Sequence, residues 1–194
     1  MNIFVLDKDP VTAAQLQCDR HVVKMTTESA QMLSTAHRLL DGKPIKRPSK
    51  SGKTMRTYYC LYEGADDLEA ELLYMANVHE KHPCTLWTME SEANYRWHWE
   101  HLRALSEEYT YRYGRTHKVG IELLWGLQSP PRNIPKGPMT EFKLAMKDQP
   151  QCMHVDDPVR SYQEFYQTKK FKMLWTKRKM PSWYKSTHTT GTAA

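Results

Sequence analysis

His21, Lys24 and Glu28 lie in the stretch CDRHVVKMTTESAQML (18–33). An imidazole, an amine and a carboxylate at intervals of three and four residues share one face of a helix. An imidazole and a carboxylate that share one cleft can transfer protons, because partial desolvation raises the carboxylate pKa toward the working range. With His21 at zero and about 100° per residue, Val22, Val23, Met25, Ala30, Met32, Leu33, Ala36 and Leu40 form an apolar arc. Gln17, Lys24, Glu28, Gln31 and Thr35 form a narrow polar stripe beside His21. That stripe is either a solvated face carrying a Lys24–Glu28 pair or one wall of a cleft, and periodicity leaves both open. Asp19, Thr26 and His37 fall on the apolar side and are expected to satisfy one another or cap neighbouring helices.

The competing chemistries are weaker. Cys18 and His21 have a Cys-x-x-His spacing and His82 and Cys84 supply two more ligand types, but no doubled Cys-x-x-Cys accompanies them, so no metal site is expected. No phosphate-cradling glycine loop, Gly-x-Ser-x-Gly elbow or dinucleotide fingerprint occurs, which disfavours nucleotide hydrolysis and nicotinamide chemistry; no cofactor is expected. Four isolated cysteines in a chain of this size read as reduced thiols.

The elements that must position these residues follow from start and stop signals. Asp9 and Pro10 open a helix that the pattern carries to Gly42. Residues 43–56, with Pro44, Pro48 and Gly52 among cations, read as a loop. A second helix is expected over 66–82, broken at Pro83, and a third from Ser91 to Gly114. A short fourth fits 118–127, a proline-rich irregular stretch covers 128–139, and a last helix led by Asp157 and Pro158 covers 157–175. Strand signals are nearly absent. The expected class is mainly α: a single compact helical domain over 1–185 with long basic and Pro-rich loops, then a disordered tail, 186–194. No run is long and apolar enough to span a membrane, and no leader is visible, so a cytoplasmic location and no membrane partner are expected. The sequence does not give an oligomeric state.

A net charge of +6 and a pI near 9.1 point to an acidic partner, of which DNA is the expected one. The excess concentrates in two stretches. Lys46, Arg47, Lys50, Lys53 and Arg56 occupy one; Lys177, Arg178 and Lys185 with Trp183 and Tyr184 occupy the other. Cations beside rings that can stack on bases suit a nucleic-acid surface, although solvated basic loops, and Trp183 and Tyr184 as plugs closing the core, remain alternatives. Tyr95, Trp97, Trp99, Tyr109, Tyr111 and Tyr113 recur at helical spacing and are expected mostly to pack.

The stretch DPVTAAQLQCDRHVVKM, followed by ESAQMLSTAHRLLDG, EEYTYRYG and the late PSWY, resembles a group of phage-encoded proteins. More distantly, the layout is similar to the phage endonuclease V family, the pyrimidine-dimer DNA glycosylases with abasic lyase activity. The match runs through a histidine and, seven residues on, a glutamate (His21 and Glu28), a YRYG element, and Pro181, Trp183, Tyr184 and Lys185 near the end. The resemblance implies a helical protein that extrudes a base and attacks the sugar C1′ with an amine, Glu28 moving protons and His21 helping to hold the site. In that family the amine is the α-amino group exposed when the initiator methionine is removed before a small residue. Here Asn2 disfavours that removal, so the amine is that of Met1 or Lys24, or the chemistry has changed. Three function classes follow: a glycosylase and lyase on damaged or modified pyrimidines, an enzyme of base modification or nucleotide metabolism, or a non-catalytic DNA-binding or host-interaction protein.

Overall fold

A computed structural model of the protein describes residues 2–49, 51–61, 75 and 78–185. These form six α-helices, one 3-10 turn and a two-stranded sheet. The fold is mainly α, as expected. Most of the expected helix over 66–82, the tail 186–194 and Lys50 lie outside the described residues.

The long first helix is corrected: it is two. Helix α1 (Pro10–Leu16) starts as read, with Asp9 accepting from the Thr12 N–H at 2.7 Å. The chain then turns extended at Gln17 and Cys18 before α2 (Asp19–Asp41) begins. Distant groups impose the break. The Cys18 N–H donates to the Tyr166 hydroxyl, the Asp19 N–H to the Leu174 carbonyl, and the Gln17 side chain to the Ile3 carbonyl. Helix α2 does end at Gly42, though not through a left-handed residue: its φ is −86°. A Cβ there would stand 2.5 Å from the Arg38 carbonyl oxygen, so glycine is needed for close approach.

The expected basic loop over 43–56 is also corrected. It is an antiparallel hairpin of β1 (Lys43–Pro48) and β2 (Met55–Cys60), paired from Lys43 with Cys60 to Pro48 with Met55. An isolated ribbon tolerates the two prolines because one edge of each strand is unpaired.

Pro83 starts a helix rather than only ending one. Helix α3 (Pro83–Glu90) is capped by His82, and α4 (Glu92–Tyr113) by Ser91, stopping at left-handed Gly114. Helix α5 (Lys118–Glu122) is short, 128–149 is irregular, and α6 (Pro158–Gln167) is capped by Asp157, ending earlier than its pattern suggests. Helix α4 packs on α1 and α2, and α2 on α3. One core cluster gathers Ile3, Leu6, Trp87, Tyr162 and Tyr166; the other gathers Leu33, Tyr95 and Leu102. Tyr95, Trp97 and Tyr109 are buried as expected, whereas Tyr111 is exposed. No helix of the described residues is long and apolar enough to cross a membrane.

Candidate functional site

Along α2, Arg20, His21, Lys24 and Glu28 line one wall of a cleft of about 370 Å³. Asn2 and Phe4 come from the N-terminal segment, and Phe165, Lys169 and Phe171 from the end of α6 and the chain that follows it. His21, Lys24 and Glu28 therefore do share a cavity. The polar stripe is not a wet face: Gln17, His21 and Thr35 are buried, and the Glu28 side chain is only 13% exposed against 58% for Lys24, its partner at 3.1 Å. The apolar arc is core except for Val23, which is exposed, and Leu40, which is half-buried.

His21 is fixed on two sides. Phe4 stacks on the ring with centroids 4.4 Å apart, and Nδ1 meets the Tyr166 hydroxyl at 2.5 Å. The Cys18 N–H donates to the same hydroxyl, whose second lone pair and proton both suit Nδ1, so either neutral tautomer of the ring fits this contact. Burial, with the charges of Lys169, Lys24 and Arg20, pushes the His21 pKa down to about 3. The imidazole is thus neutral near pH 7, a hydrogen-bonding wall rather than a stored proton. Phe4 adopts a φ of 54°, a conformation that costs a non-glycine residue about 1–2 kcal/mol. Its amide donates to Asn2 Oδ1, whose side chain donates to the Ala145 carbonyl. This tie holds the strained turn against the histidine.

Lys169, which opens the second basic stretch (169–185) but is not among the candidate site residues of the sequence, reaches the same cleft. Its ammonium lies 3.5 Å from the Phe165 ring centroid and 5.7 Å from that of Phe4. Burial first, then the charge of Lys24, lowers its pKa from the ordinary lysine value. Arg20 sits over Phe171 at 4.6 Å. A second cavity of about 660 Å³ adjoins the first through Ala145, Phe165 and Lys169, and Lys81, Lys147 and Lys170 also line it.

The remaining predicted residues lie elsewhere. Lys46, Arg47 and Arg56 are on the hairpin strands and Lys53 in the turn between them. Lys177 donates to the Tyr111 carbonyl, and Arg178 pairs with Glu108 at 2.7 Å and lies over the Tyr111 ring. Tyr184 is buried against Trp175, and Trp183 meets Tyr166 edge-on. That pair plugs the core, as the alternative reading had it, and Trp183 backs the tyrosine that holds His21. Lys185 is exposed. Asp19, Thr26 and His37 do not satisfy one another. Asp19 takes Arg112 and Thr176, Thr26 donates to the Val22 carbonyl, and His37 meets the Tyr95 hydroxyl.

The four zinc-type ligands do not assemble, and among the described residues no group of three or more His, Cys, Asp or Glu side chains could hold a metal. Cys18 Sγ lies 3.8 Å from the Tyr166 hydroxyl, His82 caps α3, and burial raises the Cys84 thiol to about 11. What the cleft combines is a carboxylate, a neutral imidazole, three cationic side chains and aromatic faces, on a chain for which comparison with known proteins finds no matching family model, curated protein or solved structure.

Proposed function

We propose that the protein is a single-domain DNA glycosylase with abasic lyase activity, acting in the cytoplasm on a damaged or modified pyrimidine swung out of the duplex. The observation that carries this reading is the cleft itself: Glu28 shares about 370 Å³ with amines and with aromatic rings. That volume falls within the about 300–1,000 Å³ usual for small-ligand sites. Phe4, Phe165 and Phe171 offer faces on which a base can stack, and Arg20 and Lys24 offer charge to its phosphates. Glu28 then balances the cationic sugar and shuttles protons, while His21 offers a hydrogen bond without changing charge. The hairpin supplies a basic ribbon of the width a DNA groove admits.

Two measurements test this. Borohydride trapping on labelled duplexes carrying an abasic site or a thymine dimer is expected to give a covalent adduct with the native protein. Glu28→Gln is expected to lose the adduct while keeping DNA affinity within a few-fold; trapping at the native level by that variant would discard Glu28 as the proton carrier. Replacing Lys46, Arg47 and Lys53 by glutamine is expected to flatten the slope of log affinity against log salt by about 0.9 for each phosphate left without its cation. An unchanged slope would remove the hairpin from the DNA-binding surface.

The larger adjoining cavity favours a second reading, an enzyme of base modification that brings a second substrate to the first. Its lining includes four lysines, Lys81, Lys147, Lys169 and Lys170, one carboxylate, Asp148, and the apolar Leu144 and Met146. Saturable binding of a free nucleotide in the absence of DNA would support this second reading; its absence would retire it.

A further inference from the structure

We infer that Lys169 is the nucleophile of this cleft, the amine that forms the covalent bond to sugar C1′, in place of Lys24 or the chain's α-amino group. The inference rests on the glycosylase and lyase reading above and goes further by naming the attacking atom.

The two lysines of the cleft differ in ways that decide nucleophilicity. Lys24 has a mostly exposed side chain whose ammonium stands 3.1 Å from Glu28. Its ammonium is committed to that carboxylate. Lys169 is half-buried, lies against the Phe165 face, and forms no ion pair with a carboxylate of the described residues. Desolvation and a neighbouring positive charge are the two conditions that release a neutral amine, and Lys169 has both, the charge coming from Lys24. The ring contacts favour the ammonium and act against this; burial and the charge of Lys24 act downward. Lys24 thus serves twice, pairing Glu28 and repelling a proton from Lys169.

Position supports the same assignment. Lys169 is two residues past the end of α6, its N–H bonded to the Tyr166 carbonyl, so its backbone is anchored on the tyrosine that fixes His21. Its side chain stands on the wall common to both cavities and can meet a sugar entering either.

The step balances as follows. The neutral Nζ attacks C1′ as the bond from C1′ to the base nitrogen breaks, and the base leaves with that electron pair and takes a proton from solvent. The attached nitrogen passes a proton to Glu28, which delivers it to O4′ as the C1′–O4′ bond opens, leaving an iminium between C1′ and Nζ. At an abasic site the same iminium forms with loss of water, and borohydride reduces it to a stable secondary amine.

The experiment is peptide mass mapping of the adduct that the native protein forms with an abasic duplex and borohydride at pH 7.5. Mapping uses the unaltered chain, so folding of a variant does not enter. The expected result is the modification on Lys169, with Lys169→Arg trapping at background. An adduct on Lys24 or the α-amino group overturns the inference and leaves the lyase reading standing. No adduct at all, with DNA bound, overturns both.

Discussion

Glu108→Gln is expected to lower the unfolding free energy by about 1–3 kcal/mol, the cost of removing one partner of a buried hydrogen-bonded group, since Arg112 keeps the Asp19 carboxylate. Glu108 and Arg112 have side chains 2% and 0% exposed. The carboxylate accepts from Arg112 Nε at 2.6 Å and from Arg178 Nη2 at 2.7 Å and Nε at 3.0 Å. Arg112 in turn donates to Asp19 Oδ1 and the Gln15 carbonyl. One network therefore joins the end of α4, the break between α1 and α2, and the chain after residue 175. A glutamine amide keeps the shape but turns N–H donors toward guanidinium donors, so hydrogen bonds there give way to donor–donor repulsion. Urea unfolding at pH 7.5 reads the effect, with Glu107→Gln as control. Glu107 pairs with Arg103 on the surface, where such a pair is worth about 0–1 kcal/mol. A loss at Glu108 no larger than at Glu107 would show that the network contributes no more than surface pairing. Because this network sets where α2 begins, partial loss of structure there should also loosen the wall that carries Arg20 and His21.

The same network shows what the sequence could and could not disclose. Local signals were legible: Asp9, Ser91 and Asp157 cap helices, and Gly114 stops one, because each acts within a turn of its own residue. The helical angle also placed His21, Lys24 and Glu28 on one wall, since the period of a helix fixes relative direction wherever it packs. It did not show whether that wall is wet, because burial depends on Phe4, Phe165 and Phe171, which arrive from both ends of the chain. The break at Gln17 and Cys18 was hidden for the same reason: the hydroxyl that takes the Cys18 amide belongs to Tyr166. In the hairpin, proline and lysine depress strand propensity, so cross-strand pairing had no local trace. Arg178 looked like a DNA contact because charge alone is visible in sequence; its commitment to Glu108 is a tertiary fact.

The second large effect is on acid stability. Burial lowers the pKa of His21 and His101 to about 3 and of His37 to about 4, and holds His98 well below its ordinary value. In the folded protein these rings are neutral near pH 7, whereas in the unfolded chain they take protons near pH 6.5. The unfolded state therefore binds more protons as pH falls. The stability these groups contribute is present above about pH 6.5 and is lost progressively below it, down to their folded values. Each histidine gives a slope of about 1.4 kcal/mol per pH unit, so four titrating together give roughly 5.5 kcal/mol per pH unit. Against a typical stability of about 5–15 kcal/mol, unfolding is expected between about pH 5.5 and 4. Geometry explains why the fold cannot simply accept the protons. His101 Nε2 faces the Gln17 amide nitrogen at 3.2 Å, and Gln17 also donates to the Ile3 carbonyl. A proton on Nε2 would turn a donor against a donor, so Gln17 would have to flip and release Ile3. His98 is buried nearby and meets Thr88 at 2.7 Å, and each of these two charges would repel the other. The urea midpoint is expected to fall steeply from pH 7.5 to 5, and His101→Gln to give a shallower fall by about one quarter. A midpoint constant across that range would mean that the rings are protonated without cost, and the neutral His21 assigned to the cleft would fall with it.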